Sequence, residues 1–342
     1  MQLTDFTYEL PESRIADRPP EVRGSSKLLV IKRSQGVVAD SLYRSVADFL
    51  EAGDVVILND TKVIPARLRA MTDDGREREL LLLERHGQTA YGHSARVMYR
   101  RKLHPGQTLR VGTAQVTIDE LYGDGTARIT ANTEILGLAE EYGAVPLPPY
   151  MRREADATDR ERYQTVFAKH DGSVAAPTAS LNMTDDVLAS IREKGVNIGY
   201  LTLHVGLGTF MPIREDDITK HHMHQEYFEI PRATADLIRQ AKQDGRRVIA
   251  VGTTVTRTLE YAAKEILTSN TDTIQGEADI YIYPGYTFKM VDAMLTNFHA
   301  PHSTVLMMAA AFTGWDTLKS AYEYAVDHEY KFLSYGDSTF LI

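Results

Sequence analysis

A β-rich stretch inside a chain that otherwise alternates helices and strands most constrains the fold of this protein. From about residue 67 to residue 122, apolar residues come in short bursts at 80–83, 95–99, 108–111 and 115–118. Glycines separate the bursts at the spacing typical of a small all-β barrel or sandwich. Pro65 precedes the stretch and Pro146 follows it, so we expect the chain to enter and leave it near these two prolines.

The rest of the sequence predicts strands that alternate with helices. Predicted strands lie at 27–32, 55–58, 200–205, 248–251 and 279–283, and predicted helices lie near 45–50, at 184–194, 233–244 and 303–312, and directly after Gly252. Such alternation indicates a sheet with helices packed on it. We therefore predict an α/β fold: a discontinuous α/β domain with a mixed sheet, formed by residues 1–62 and 151–342. A small β-barrel domain at 63–150 interrupts it.

Composition excludes several kinds of chemistry. The 342-residue chain has no cysteine, which rules out disulfides, thiolate metal sites and thiol nucleophiles and fits a reducing compartment. Its N-terminus lacks the pattern of a signal peptide, and its longest apolar run, 305–312, is far shorter than the roughly 20 residues of a membrane span. We expect a soluble, cytoplasmic protein that makes no membrane contact.

Charge does not decide whether nucleic acid is a partner. The net charge of −9 argues against it, yet residues 92–112 hold five Lys/Arg and no acid. These five are Arg96, Arg100, Arg101, Lys102 and Arg110. A solvated surface explains the run equally well. A second basic run at 152–162 is diluted by acids, which favours a solvated surface there.

Two glycine-containing turns are candidate ligand sites. Gly252 follows a predicted buried strand and opens a helix, which presents free backbone N–H groups to an anion, and Arg257 could add a charged fork. An ordinary strand-to-helix turn is the alternative. Gly206 and Gly208 follow another strand, but a third glycine and a helix signal are missing, so this is no dinucleotide fingerprint.

The polar run at 221–226 contains three histidines and Glu226. It could hold a metal, but no zincin-type motif or matched fourth ligand accompanies it. We therefore predict a polar edge that contacts substrate, and no metal site.

Taken together, these stretches resemble one family over nearly the whole chain: the S-adenosylmethionine:tRNA ribosyltransferase-isomerases of queuosine biosynthesis. The matching strings, in order, are DFTYELPESRIADRPPE, GDVVILNDTKVIPARL, PLPPYMRR, RYQTVFA, VAAPTASLNMT, LTLHVGLGTFMPI, HHMHQE, VIAVGTTVTRTLE, YIYPGY, TNFHAPHST and SYGD. The chain resembles a divergent member, because Ser180, Asn182 and Met183 stand where the family usually shows Gly, His and Phe.

The resemblance implies an activity and its partners. S-adenosylmethionine, a co-substrate with no prosthetic group beside it, would donate its ribosyl group to 7-aminomethyl-7-deazaguanine at the wobble position of tRNA. Epoxyqueuosine-tRNA, adenine and methionine would result, and no obligate protein partner is implied. A methyltransferase that uses the same donor and a non-catalytic RNA-binding paralogue are the alternatives.

The matching strings also supply the candidate site residues. The reaction needs a group that takes protons, and the titratable candidates are His204, His224, Glu226, Asp337 and Asp60. His204 is the first of them, with a buried structural histidine as the alternative. Substrate-binding candidates are Arg67, Thr178, Gly206, Gly208, Thr209, Gly252, Thr253, Thr254, Arg257, Asn297, His299 and Tyr335. Of these, Gly252–Thr254 with Arg257 would bind the methionine carboxylate, and Arg67 and Tyr335, together with Tyr150 and Phe298, are candidates to stack on the acceptor base.

Overall fold

The structure, a computed structural model, describes residues 1–33, 35–84, 91–206 and 213–342. Its strands are β1 (Lys27–Lys32), β2 (Gly36–Leu42), β3 (Val55–Asn59), β4 (Thr61–Val63), β5 (Arg67–Met71), β6 (Glu77–Leu82), β7 (Ser94–Tyr99), β8 (Thr108–Val111), β9 (Ala114–Leu121), β10 (Thr126–Ala131), β11 (His170–Ser173), β12 (Asn197–Leu203), β13 (Glu226–Pro231), β14 (Val248–Val251), β15 (Thr273–Ala278), β16 (Ala293–Asn297) and β17 (Ser338–Leu341).

The α-helices are α1 (Ile135–Tyr142), α2 (Ala157–Arg162), α3 (Asp185–Glu193), α4 (Arg232–Gln243), α5 (Thr253–Tyr261), α6 (Ala263–Thr268), α7 (Thr304–Thr313) and α8 (Trp315–Asp327). Short 3₁₀ helices span Leu3–Asp5, Glu12–Arg14, Tyr43–Phe49, Pro149–Met151, Thr178–Ser180 and Ile218–Lys220. Among the described residues, no helix is both long and apolar enough to cross a membrane.

A nine-stranded mixed sheet forms the larger part of the fold, in the order β15-β13-β12-β3-β14-β16-β17-β1-β2. Its centre is parallel, because β12, β3, β14 and β16 run in the same direction. Strand β3 shows why: Val55 and Ile57 pack into the core on one face, and Val56 and Leu58 pack into the core on the other. A strand that is buried on both faces is typical of a parallel sheet covered by helices. The predicted α/β class with a mixed sheet is confirmed.

The β-rich stretch forms a closed barrel with the strand order β10-β7-β6-β5-β8-β9. Alternate residues of each strand, such as Leu68 and Ala70 of β5, fill its interior. The predicted β-barrel is therefore confirmed, although the predicted bursts included neither β5 nor β10. The domain boundaries at 62/63 and 150/151 stay a prediction.

Helix boundaries follow local capping chemistry. The Thr184 side chain accepts a hydrogen bond from the backbone N–H of Val187 and begins α3, and Ser303 caps α7 in the same way. The helix predicted at 45–50 is a 3₁₀ helix, Tyr43–Phe49.

The strand predicted at 279–283 is wrong. The strand in this region is β15, which ends at Ala278, just before residue 279. Ala278 pairs with Glu226, the first residue of β13. Because β13 begins there, no strand of the described residues pairs with 279–283. Their apolar pattern arises from packing of individual side chains: Ile282 is buried, and the rings of Tyr281 and Tyr283 contact each other.

The parallel strands bring distant parts of the chain to one edge of the sheet. His204 follows β12, Asp60 follows β3, Gly252 follows β14 and Phe298 follows β16. Ligands of open α/β sheets bind at the carboxyl ends of such strands. The candidate site is therefore expected at this edge.

Candidate active site

A cleft opens at the carboxyl ends of β14 and β16, with a volume of about 850 Å³ when its mouth is included. Its lining includes the predicted substrate-binding residues Thr178, Gly252, Thr253, Thr254, Asn297 and His299. Tyr150 and Phe298, predicted to stack on a base, also line it. Ala176, Pro177, Ala179, Val205, Thr296, Ala300, Pro301, Ser303, Val305, Leu333 and Ser334 complete the described walls. The structure thus brings together residues that lie far apart in the sequence.

The start of α5 forms one wall of the cleft. Gly252 precedes it with φ of 96°, a conformation that residues with a side chain rarely adopt, and its backbone N–H donates to Leu295 O. The glycine has no side chain with which to cap the helix. The backbone N–H groups of the first helical turn therefore lack a helical partner at a place where Thr253 and Thr254 are buried.

Asn297 stands opposite, at the end of β16. The Thr178 hydroxyl donates to Asn297 Oδ1 at 2.9 Å, which fixes the orientation of the amide. Asn297 Nδ2 is buried and has no hydrogen-bond partner among the described residues, and the same is true of Thr254 Oγ1. Buried polar groups without a partner are uncommon in proteins, so these two atoms indicate a polar ligand.

His299 contributes a neutral imidazole to the cleft. Burial lowers the pKa of this histidine to about 3. Its Nε2 lies 3.2 Å from Thr296 Oγ1, and its backbone carbonyl accepts a hydrogen bond from the Tyr8 hydroxyl. A side chain so anchored can form hydrogen bonds with a substrate but is a weak base.

Glu226 and Arg257 bind each other instead of lining the cleft. Arg257 Nη1 lies 2.5 Å from Glu226 Oε2, and both side chains are almost fully buried. Glu226 Oε1 accepts the backbone N–H of Gly206 at 3.0 Å, whereas Arg257 Nη2 donates to the carbonyls of His224 and Ala278. The pair therefore ties α5 to the segment after β12. The His224 side chain is exposed and lies outside the cleft lining.

His204 and Asp60 lie beside the cleft, at the ends of β12 and β3. His204 is buried with its Nδ1 2.9 Å from Thr61 Oγ1, and its ring packs so closely on Gly172 that a Cβ there would come within 2.7 Å of it. Asp60 accepts a hydrogen bond from Thr202 at 2.7 Å. Burial raises the pKa of the Asp60 carboxyl above its usual range, and the hydrogen bond from Thr202 opposes that shift. Neither side chain is part of the described lining.

Asp337, Tyr335 and Arg67 also lie outside the lining of the cleft. The Asp337 carboxylate accepts the backbone N–H groups of Lys27 at 2.6 Å and Lys331 at 2.7 Å. Burial raises the pKa of this carboxyl, and those two hydrogen bonds oppose the rise. Tyr335 is buried and its hydroxyl donates to Asp159, while Arg67 lies on barrel strand β5, where its backbone pairs with Ala144. In this structure these groups hold chain segments together.

Two predicted residues, Gly208 and Thr209, lie outside the described residues. Within the described ranges, no group of three or more His, Asp or Glu side chains could hold a metal ion. The sequence reasoning missed most of the apolar walls, such as Val205, Val305 and Leu333. The sequence could have pointed to two of them, because they adjoin strings that match the family: Leu333 directly precedes SYGD, and Val305 directly follows TNFHAPHST.

Comparison with known proteins assigns the chain to a protein family. The family model described as queuosine biosynthesis protein matches residues 3–341. The chain belongs to this family. Relatives include proteins named S-adenosylmethionine:tRNA ribosyltransferase-isomerase from Chlorobium phaeobacteroides, 51% identical, and from Geobacter sulfurreducens, 45% identical. In both comparisons 100% of this chain and 100% of the relative are covered.

A solved structure agrees with the family assignment. The crystal structure of an S-adenosylmethionine tRNA ribosyltransferase from Thermotoga maritima matches with a TM-score of 0.56 and 30% identity. The match covers 99% of this chain and 100% of that chain. The fold and the family thus agree over the full length.

Asn182 is one of the departures from the usual family pattern, and hydrogen bonds within the protein hold its side chain. It is buried, its Oδ1 accepts from the Ser26 hydroxyl at 2.8 Å, and its Nδ2 donates to the Gly336 carbonyl at 3.1 Å. It does not line the cleft. We therefore expect Asn182→His to change the turnover number by less than about tenfold, or about 1.4 kcal/mol of barrier.

Single-turnover adenine release with precursor tRNA measures this effect in the wild type and in Asn182→His. A silent wild type whose activity is restored by the histidine would contradict the structural role of Asn182. It would instead make that position the site of an essential proton carrier.

Proposed function

We propose that this protein transfers and isomerises the ribosyl group of S-adenosylmethionine onto 7-aminomethyl-7-deazaguanine at the tRNA wobble position. Epoxyqueuosine-tRNA, adenine and methionine are the products. The observation that carries the proposal is full-length similarity, at 45–51% identity, to proteins named S-adenosylmethionine:tRNA ribosyltransferase-isomerase. The cleft at the edge of the sheet supports it, because its described lining consists of apolar walls and a few convergent polar groups, as is typical of small-molecule sites.

The chemistry of the donor sets the tasks of the site. The sulfonium makes the protons on the adjacent ribose carbon more acidic and makes methionine a good leaving group. The attacking amine has to be neutral, so a group must take up protons, and the departure of adenine must be assisted. Burial of the cleft favours the neutral amine because it penalises the charged form.

The candidate residues divide between positioning and proton transfer. His299, neutral at physiological pH, would hydrogen-bond to the substrate without carrying charge. Asp60 and His204, which follow the neighbouring parallel strands, are the proposed candidates for proton transfer. Their closeness to the sheet edge at which the cleft opens supports this assignment.

The two alternatives differ in the fate of the donor. A methyltransferase would transfer the methyl group of S-adenosylmethionine, and a non-catalytic RNA-binding paralogue would leave the donor intact. Neither alternative is favoured, because the relatives over the whole length carry a ribosyltransferase-isomerase name.

Donor labelled separately in its ribose and in its methyl group tests the proposal. The protein is incubated with each donor and with tRNA that carries the aminomethyl precursor, and the tRNA is then digested to nucleosides. Ribose label should appear in the modified nucleoside, whereas methyl label should leave with methionine. Methyl label in the tRNA would favour the methyltransferase, and no label from either donor would favour the paralogue.

We further propose that the barrel, as an inserted domain at 63–150, contacts tRNA phosphates. The side chains of Arg101 and Lys102 are exposed and form no ion pair within the described residues. Arg100 lies 3.6 Å from Glu79, and Arg96 pairs with Asp124 at 2.8 Å. Charge on this face is thus partly neutralised at Arg96 and Arg100, whereas Arg101 and Lys102 keep theirs. We test the neighbouring pair Arg100 and Arg101, of which one has a carboxylate nearby and the other has none among the described residues.

Changing Arg100 and Arg101 to alanine together should flatten the dependence of log tRNA affinity on log salt by about one to two units. Each phosphate contact contributes about 0.7–0.9 to that slope. Filter binding over a range of salt concentrations measures it. The double variant Lys264→Ala and Lys289→Ala removes the same charge from exposed positions outside the barrel and should leave the slope unchanged. Equal slopes for all three proteins would contradict a phosphate contact at this face.

A further inference from the structure

We propose that the cleft contains a subsite for the α-carboxylate of the donor's methionine moiety. The subsite consists of the first turn of α5, the Thr254 hydroxyl and the Asn297 amide. The inference rests on the proposed function for the identity of the donor and adds to it the part of the donor that the site recognises.

The first observation is the uncapped start of α5. The helix spans Thr253–Tyr261, and its preceding residue, Gly252, forms no side-chain cap. The backbone N–H groups of Thr253, Thr254 and Val255 thus lack intrahelical acceptors in a buried position. A buried helix start of this kind has its unsatisfied donors and the positive end of the helix dipole on the same side, and both favour an anion.

The second observation comes from side chains and is independent of the helix. Asn297 is only 3% exposed and lines the same cleft, and no atom of the described ranges forms a hydrogen bond with its Nδ2. Because the Thr178 hydroxyl donates to Asn297 Oδ1, the amide is held with its N–H₂ group unsatisfied. Thr254 Oγ1, also buried and without a partner in the part of the chain that the structure describes, adds a hydroxyl donor at the helix start. A carboxylate has two acceptor oxygens and can accept hydrogen bonds from the Asn297 N–H₂ group and the Thr254 hydroxyl at the same time.

The third observation is the charge of the lining. None of the described residues that line the cleft is Asp, Glu, Lys or Arg. The described lining therefore does not repel an anion, and its neutral donors and the helix dipole would bind one. Phosphate recognition normally adds Arg or Lys, so the arrangement favours the single charge of a carboxylate over a tRNA phosphate.

Arg257 does not supply the missing cation. Its Nη1 is bound to Glu226 Oε2 and its Nη2 to two backbone carbonyls, whereas its buried Nε has no partner among the described residues. Arg257 is not part of the described lining of the cleft. The carboxylate subsite anticipated from the sequence at the α5 start therefore has Asn297 and the Thr254 hydroxyl as its side-chain donors. This assignment makes the donor's carboxylate a determinant of specificity.

Affinity for two donors that differ only in the carboxylate tests the proposal. S-adenosylmethionine and decarboxylated S-adenosylmethionine are titrated calorimetrically into the protein, alone and with tRNA that lacks the aminomethyl group. Wild type should bind the carboxylated donor about tenfold to a hundredfold more tightly, since hydrogen bonds to a charged group carry an effect of that size. Thr254→Val, which removes the hydroxyl at nearly constant shape, should reduce this preference several-fold. Asn297→Asp, which places a carboxylate against a carboxylate, should reduce it by about tenfold or more.

Thr313→Val is the matched control. Thr313, like Thr254, is buried, and its Oγ1 has no partner within the described ranges, but it ends α7 and lies outside the cleft lining. The preference for the carboxylated donor should be unchanged in this variant. Melting temperatures of all variants separate loss of binding from loss of folding, and the comparison of the two donors on wild type does not depend on any variant.

Equal affinity of wild type for the two donors would overturn the subsite while leaving the proposed function intact, provided that adenine and methionine are still released. Thr254→Val and Asn297→Asp could instead lower the affinity for tRNA and leave the preference for S-adenosylmethionine over its decarboxylated form unchanged. That result would show that the Thr254 hydroxyl and the Asn297 amide bind a tRNA phosphate, and it would also overturn the carboxylate subsite. Failure of wild type to bind S-adenosylmethionine under either condition would contradict both the subsite and the proposed function.

Discussion

Replacing Glu226 with leucine is expected to lower the free energy of unfolding by about 3–5 kcal/mol. The change leaves Arg257 as a buried guanidinium without its carboxylate, and the backbone N–H of Gly206 loses its acceptor. A single unpaired charge in the interior destabilises the folded protein far more than the ion pair from which it came. Urea unfolding of wild type and Glu226→Leu at neutral pH measures the difference.

The double variant Glu226→Leu with Arg257→Met is the control for this result. It removes both charges together, so it should be more stable than Glu226→Leu alone. Full recovery is not expected, because the carbonyls of His224 and Ala278 also lose their donor. A loss below about 1 kcal/mol in Glu226→Leu, or a double variant less stable than the single, would contradict a structural ion pair.

Lowering the pH from 7 to 4 should cost about 3 kcal/mol of stability through His299 alone. Its pKa is near 3 in the folded protein because of burial, against about 6.5 in an unfolded chain. Below pH 6.5 the unfolded chain binds a proton at this imidazole that the folded protein excludes, so the free energy of the unfolded state falls relative to that of the folded state. The contribution is complete above about pH 6.5 and is lost progressively as the pH falls toward 3.

The comparison of His299→Gln with wild type isolates this effect from the titration of carboxylates. Glutamine can form hydrogen bonds but does not titrate, so the variant should lose about 3 kcal/mol less than wild type between pH 7 and pH 4. His104→Gln, at an exposed histidine of the barrel, should behave as wild type does. If the stabilities of wild type and His299→Gln depend on pH in parallel, burial does not suppress the protonation of His299.

Much of the fold follows from local sequence signals. Thr184 and Ser303 stand where the structure caps α3 and α7, and the apolar run of β14 is fully buried. Such features act over a few residues and are visible without knowledge of the tertiary structure. The start of α5 belongs to the same class, since Gly252 follows a buried strand, and it proved to be a wall of the cleft.

The roles of individual side chains depended on contacts between distant segments and could not be predicted in the same way. Glu226 and Arg257 were expected to act on substrate, yet they are bound to each other across 31 positions of sequence. Asp337 is titratable and lies in a matching string, but its oxygens bind backbone groups of Lys27 and Lys331. A sequence shows that a residue can titrate, whereas only the packed structure shows which partners it has.

Quantification of the small products tests the central claim most directly. The protein is incubated with S-adenosylmethionine and tRNA carrying 7-aminomethyl-7-deazaguanine, and the mixture is separated by chromatography. Adenine and methionine should appear in equal amounts, one of each for every tRNA modified, without S-adenosylhomocysteine. S-adenosylhomocysteine as the product, or a donor that remains unconsumed while tRNA is bound, would contradict ribosyl transfer.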